Sequence, residues 1–339
     1  MTQHRICVST AADTLAAIPA LLGFTPENSV VVIAFAFGNG IHTIAFTMRV
    51  AAAITDVEAG QVAEAAARQQ WDNSPVTAVI LAAIADPAHT GAALIGLEAI
   101  REAFAARSID TLGALHAYSL TAGTMYTDLD HNTDGVVPDS AISDVAIARA
   151  VVEGATIAGR REDIEARFEQ AEEIPESLAL VAAATMGEQF LPVTFDELAA
   201  VIDAREIPSA DLTARVGLAL ATGRLEVRDA FLAMAVHGHQ DAADTFTYIA
   251  ARVRGTARAQ ALTLAAFFLY CTGNGVAANV AIEAVESLAA AESTEVPSLA
   301  KLLSRALQEA MLPRMVATLS DVITDDFLTE HIGRVQSYT

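Results

Sequence analysis

Lysine is nearly missing from this chain. Lys301 stands alone among 20 basic residues, which face 42 Asp and Glu, so the formal net charge is −22 over 339 residues. Acids outnumber bases in both halves, and such a surface repels a phosphate backbone; nucleic-acid binding is not expected. Cysteine is equally sparse. Cys7 and Cys271 are too few and too far apart for the disulfide framework of a secreted domain, which points to a reducing cytoplasm. Neither shows a sign of activation, and both read as buried or inert thiols. Charged residues make up only 18% against 53% hydrophobic, which excludes a disordered chain. Clean signal and membrane segments are lacking too. Asp13 cuts the apolar start, and the two uncharged runs 28–48 and 259–282 are broken by Gly38-Asn39-Gly40 and Gly273-Asn274-Gly275. A cytoplasmic protein off the membrane is the expectation.

What is present divides in two. Arg5 to Val8 reads as a short strand and Thr10 or Ser9 as the cap of a helix ending at Leu22-Gly23. Ser29–Phe37 and Ile41–Arg49 form a hairpin around Gly38-Asn39-Gly40, and a Thr55/Glu58 capping box opens a helix to about Trp71. Val76–Ala85 is a buried strand, Asp86-Pro87 starts the next helix, and Ile109–Tyr118 completes an alternating order that implies a partly parallel sheet. Beyond a polar loop, Tyr126 to Asp139, only helical patterns recur. Thr194 and Glu197 read as a second capping box, and Leu299, Leu302, Leu303, Ala306 and Ala310 as one apolar stripe. The helices around Gly273-Asn274-Gly275 are similar to one tetratricopeptide hairpin. The expected architecture is an α/β domain over 1–140, a mixed sheet with flanking helices, followed by an all-α, tetratricopeptide-like domain over 141–339.

Several stretches resemble one family. Ala17-Ile18-Pro19, Leu21-Leu22-Gly23-Phe24, Pro26 and Ser29-Val30-Val31, then Arg160-Arg161-Glu162-Asp163-Ile164 after Gly154, Glu226 to Leu232, and Gly273-Asn274-Gly275 with Ala278 to Ile282 are similar to the actinobacterial domain-of-unknown-function family DUF4192. The resemblance implies an α/β portion followed by a helical one and an actinobacterial or phage origin, and it carries no activity. At Arg49-Val50-Ala51-Ala52 the chain lacks an acid that members tend to have, and at Met125-Tyr126 it lacks one of two expected aromatics.

Sequence candidates for chemistry are few. Asp86, His89 and Thr90 follow a strand of the parallel part, where open α/β sheets gather ligands. Asp130, Asn132, Asp134 and Gly135 fit the first half of a calcium loop, but position twelve is Ala141, with Asp139 and Asp144 the nearest carboxylates. His237 and His239 with Asp241 and Asp244 have metal-ligand spacing without a third histidine, and no metal is expected there. No glycine-rich phosphate loop, nucleophile elbow or Cys-x-x-Cys occurs, so no catalytic residue and no cofactor are named. The reading is a cytoplasmic protein–protein interaction or regulatory module without catalysis, with Arg252, Arg254 and Arg258 as fork-shaped donors toward another protein. The alternative is an enzyme of unassigned reaction at the sheet edge near Asp86 and His89.

Overall fold

The computed structural model describes residues 10–38, 40–71, 74–146, 161–309 and 311–336. The proposed strand Arg5 to Val8, Ser9, Cys7 and the family stretch up to Arg160 lie outside them. Two compact units divide the chain, one ending at Asp163 and the other beginning at Ile164.

The first unit is a mixed sheet with helices. Helix α1 (Ala11–Leu22) starts at a Thr10–Asp13 capping box and stops at Gly23, whose φ of 84° is the left-handed stop that glycine adopts without strain. Strand β1 (Ser29–Gly38) is an unbroken apolar run because both of its faces are covered: Val30, Val32 and Ala34 join one core, while Val31 and Ile33 are buried on the other face. It pairs antiparallel with β2 (Ile41–Ala51) and, on its other side, with β4 (Ser74–Ile84). Helix α2 (Asp56–Ala67) opens at the Thr55–Glu58 box as expected. It ends four residues early, because Gln70–Trp71 form strand β3 against the start of β4. Helix α3 (Thr90–Ala105) carries the chain from β4 to β5 (Asp110–Ala117), which runs parallel to β4. Gly96 lets α3 approach the chain after β2: a Cβ there would sit 2.6 Å from the Ala52 carbonyl oxygen.

The sheet does not end at Tyr118. Strands β6 (Met125–Asp128) and β7 (Thr133–Val136) form a hairpin that adds to β5, within the segment read as a polar loop. Four-residue polar strands at a sheet edge show no apolar alternation, so their pairing is invisible to pattern. The order is β2-β1-β4-β5-β6-β7, with β3 on β4.

From Arg161 onward the described elements are helical: α4 (Arg161–Ala166), α5 (Ser177–Met186), α6 (Phe190–Ala204), α7 (Ala210–Ala221), α8 (Leu225–Ala230), α9 (His239–Arg252), α10 (Gly255–Cys271), α11 (Gly275–Glu292), α12 (Ser298–Gln308), α13 (Pro313–Asp321) and α14 (Asp325–His331). Helix α10 is the central element, buried almost throughout, and an aromatic chain of Phe195, Phe231, Phe246 and Phe268 crosses the core. Thr194 and Glu197 are not a capping box. They lie inside α6, where the buried Arg215 donates from Nη1 to Thr194 Oγ1 at 3.2 Å and pairs with Glu197 and Asp211. The α12 stripe holds at Leu299, Leu303 and Ala306, while Leu302 faces solvent and Ala310 lies outside the described residues.

Candidate functional site

Because β4 and β5 are parallel and β1 runs against β4, the ends of β4 and β5 and the start of β1 meet at one sheet edge. Four segments deliver polar side chains there. Asn28 precedes β1 with φ of 44°, a conformation that asparagine tolerates better than most residues. Its Nδ2 donates to Asp86 Oδ2 at 3.3 Å, and its Oδ1 accepts from the Asp86 N–H at 3.1 Å.

Asp86 does not cap a helix starting at Pro87. It closes a turn instead, accepting on Oδ1 from the N–H groups of Ala88 and His89, and α3 begins at Thr90. The same oxygen meets His89 Nδ1 at 2.9 Å, and this hydrogen bond, more than any other contact, holds the Asp86 carboxyl below the usual carboxylate range. The Thr90 hydroxyl donates to the carbonyls of Asp86 and Ala85, and lies 3.5 Å from His116 Nε2.

His116, 9% exposed, sits on β5 edge-on to the Tyr118 ring. Burial lowers its pKa from the ordinary 6.5, so the ring is neutral near pH 7. The folded chain therefore binds this proton less readily than the unfolded one. Stability is intact above the unfolded pKa and falls as pH drops through the ordinary histidine range toward the lowered folded value. In an NMR titration of the ring Cε1 signals, the His116 midpoint is expected below 6.5; a midpoint at or above it would contradict the burial argument.

The edge thus presents an imidazole, His89, whose Nδ1 is held by a carboxylate and whose ring is half-exposed, an arrangement suited to proton transfer. The Thr90 hydroxyl is engaged by two carbonyls and is not activated as a nucleophile. His116 and Asn28 escaped the sequence reading, although the rule that singled out Asp86 after β4 applies equally to the end of β5.

Residues 12–314 match the family model described as domain of unknown function, DUF4192, a span that covers this edge and the helical unit through α12. The chain belongs to this family. No curated protein and no solved structure matches it.

Elsewhere in this DUF4192 chain the candidate residues are otherwise occupied. Arg258 is buried, 5% exposed, and donates to the carbonyls of Ala250 and Phe168; it offers no surface to a partner. Arg254 donates to the carbonyls of Ala171, Ala251 and Val253, and the Arg252 guanidinium lies 3.6 Å from the Tyr248 ring centre. Arg254 and Arg258 tie the segment after α4 to α9 and α10, while the Arg252 side chain contacts Tyr248 on its own helix. In the supposed calcium loop, Asp130 accepts from Arg101 at 2.8 Å, Asp134 accepts from the Thr127 hydroxyl at 2.7 Å, and Asn132 takes the left-handed turn between β6 and β7. Asp241 and Asp244 pair with Arg205 and Arg167, while His239 packs edge-on to Phe268. Among the described residues no group of three or more His, Cys, Asp or Glu could hold a metal ion. Burial pushes the Cys271 thiol up to about 12, so it remains protonated and unreactive.

A third apolar stretch is interrupted by Glu188, Asp196, Glu197 and Asp203 and so is not an uncharged run. Ser177–Ala204, 28 residues, is long and apolar enough by length and composition to cross a membrane. Its second part, α6, is a core helix with Phe195, Leu198 and Ile202 fully buried. Its first part, α5, is uncharged yet buries only Ala179; Leu180 is 55% and Val181 69% exposed. Glu172, Glu176 and Glu188 flank it, all exposed.

Proposed function

We propose that this DUF4192 chain is a cytoplasmic protein–protein interaction module without catalysis, and that its contact element is α5. What supports the reading is the exposed apolar face of Leu178, Leu180 and Val181. Covering what these half-exposed side chains still show to water would stabilise by about 1 kcal/mol each. The flanking glutamates and the net charge of −22 select the occupant: an apolar segment of another protein rimmed by Lys or Arg. The test is affinity capture from the native host, followed by binding of the purified partner to wild type and to a Leu180→Glu, Val181→Glu variant. A partner of that composition is expected, with binding weakened about tenfold or more in the variant and by added salt. Recovery of every wild-type partner at unchanged affinity by a folded variant would refute the proposal.

A second reading, an enzyme of unassigned reaction, rests on the Asp86–His89 contact. Under it, a screen of hydrolytic substrates yields a turnover that falls about a hundredfold or more in His89→Gln. Turnover unaffected by that change would remove His89 from the reaction.

A further inference from the structure

Strand β2 ends the sheet: it pairs with β1 on one side, and no other described strand pairs with its far side. It runs for 11 residues, against 4 for β7 at the opposite end. An edge strand presents a row of N–H and C=O groups to solvent, and proteins commonly guard such a row with lysine, proline or an inward-pointing charge. β2 has no lysine, proline, glycine or acid, and apart from His42 its only ionisable side chain is Arg49. One irregularity interrupts it: Phe46 faces Ala34 and Ile44 faces Phe35, which leaves Ala45 as a bulge. From Phe46 to Ala51 the pairing is regular.

Around Met48 the side chains repeat in kind. Thr47 and Arg49 are polar, Phe46 and Val50 apolar, Ala45 and Ala51 small. Phe46, Met48 and Val50 lie on the core face of the sheet and are only partly buried there, while Thr47 and Arg49 alternate onto the other face. Two such strands can run antiparallel about a two-fold axis perpendicular to the sheet, which keeps each face beside its like. With the axis at Met48, Met48 meets its own copy, Phe46 meets Val50, and Thr47 meets Arg49. Aromatic and β-branched cross-strand pairs are favourable, and no like charges are opposed. Centring on Arg49 would set two guanidinium groups against each other, and centring on Thr47 would draw the Ala45 bulge into the pairing.

Charge selects the occupant. With a net charge of −22 the chain repels its own copies through its acids, yet β2 carries none of them. A basic partner finds no carboxylate on β2 to hold it, whereas a second copy finds the same uncharged apolar row. We infer that two copies of this chain join through β2, antiparallel and in register about Met48, so that their two sheets become one. A single strand from each copy is a small interface, so the association is reversible and depends on concentration.

The test is sedimentation equilibrium of the full chain over a range of concentrations, where monomer is expected to pass to dimer. Added salt should strengthen the association by screening the acids of the two copies, the opposite of its effect on a basic partner at α5. Met48→Lys places two ammonium groups on the axis and should weaken dimerisation about tenfold or more, with circular dichroism unchanged. Oxidative crosslinking reads the register. In a Cys7→Ser background, Met48→Cys should link two copies, because directly opposed Cα atoms lie about 4.5–5.5 Å apart, within reach of a disulfide. Val50→Cys, opposite Phe46 rather than its own copy, should not. Cys271 does not compete, its thiol being buried and protonated. Met48→Cys adds no charge, so crosslinking decides even if Met48→Lys fails to fold. A chain monomeric throughout the range, a folded Met48→Lys variant that dimerises as before, or crosslinking at Val50→Cys as efficient as at Met48→Cys would each overturn the inference.

Discussion

Phe268→Ala is expected to lower the stability of the helical unit by about 3–5 kcal/mol. Phe268 lies on the central helix α10 and is fully buried. Its ring stacks on Phe246 at 5.7 Å with an interplanar angle of 11°, and meets Phe267 at 5.1 Å nearly edge-on. His239 also packs against it, at 6.2 Å. Truncation removes the transfer free energy of a phenyl ring and opens a cavity that its neighbours Phe246, Phe267 and His239, held on two packed helices, cannot close. Urea denaturation followed by helix circular dichroism measures the effect as a lowered midpoint with unchanged slope. Phe268→Leu keeps most of the volume and should cost less. A Phe268→Ala loss below about 1 kcal/mol would mean that the aromatic chain through Phe195, Phe231 and Phe246 is not the organising core.

The second large effect is expected at Arg258, where Ala should cost about 2–5 kcal/mol from two stranded carbonyls and the lost packing of the stem. Its guanidinium has no carboxylate partner among its hydrogen bonds; it donates instead to the carbonyls of Ala250, on α9, and Phe168, in the segment after α4. Burial pulls its pKa down, with Arg254 adding to the effect, yet an arginine stays charged, so the carbonyl dipoles are what make its burial tolerable. Removing the side chain strands two acceptors and vacates the volume of the long stem. Arg258→Met restores packing but no donors, so it should remain about 2 kcal/mol below wild type. Hydrogen exchange separates this from a generic core defect. Ala171 N–H bonds the Ala251 carbonyl and Ile174 N–H bonds that of Arg252, and both amides should exchange faster in the variants once the segment is unpinned. Protection unchanged at these two amides would show that Arg258 does not tether it.

Arg258 also marks where sequence reading stopped. An arginine in an acidic chain reads as a surface donor, because burial of a lone charge leaves no trace in periodicity. Its acceptors are carbonyls, one of them 90 residues away, and every residue type carries a carbonyl. The sheet edge failed in the same way. Asp86 stood out through the rule about strand ends, but its coupling to Asn28 spans 58 residues and depends on β1 running antiparallel to β4. Likewise, α5 has the composition of a core helix, and only the packing of its neighbours leaves Leu180 and Val181 outside.

Local features were legible from the residues themselves. The Thr55–Glu58 box, the stop at Gly23, the β1–β2 hairpin, the apolar runs of β1 and β4, and the change from sheet to helices all arise from contacts within a few residues or from burial of a whole face. Net charge and cysteine scarcity belong to the same class. Tertiary structure alone decided the β6–β7 hairpin, the burial of Arg258 and Arg215, the meeting of Asn28, Asp86, His89 and His116, and the place of β2 at the end of the sheet. The physical reason is range. Caps, turns and periodicity are short-range free energies that each segment carries with it, whereas a buried polar group or an exposed apolar face is set by which distant segment packs beside it.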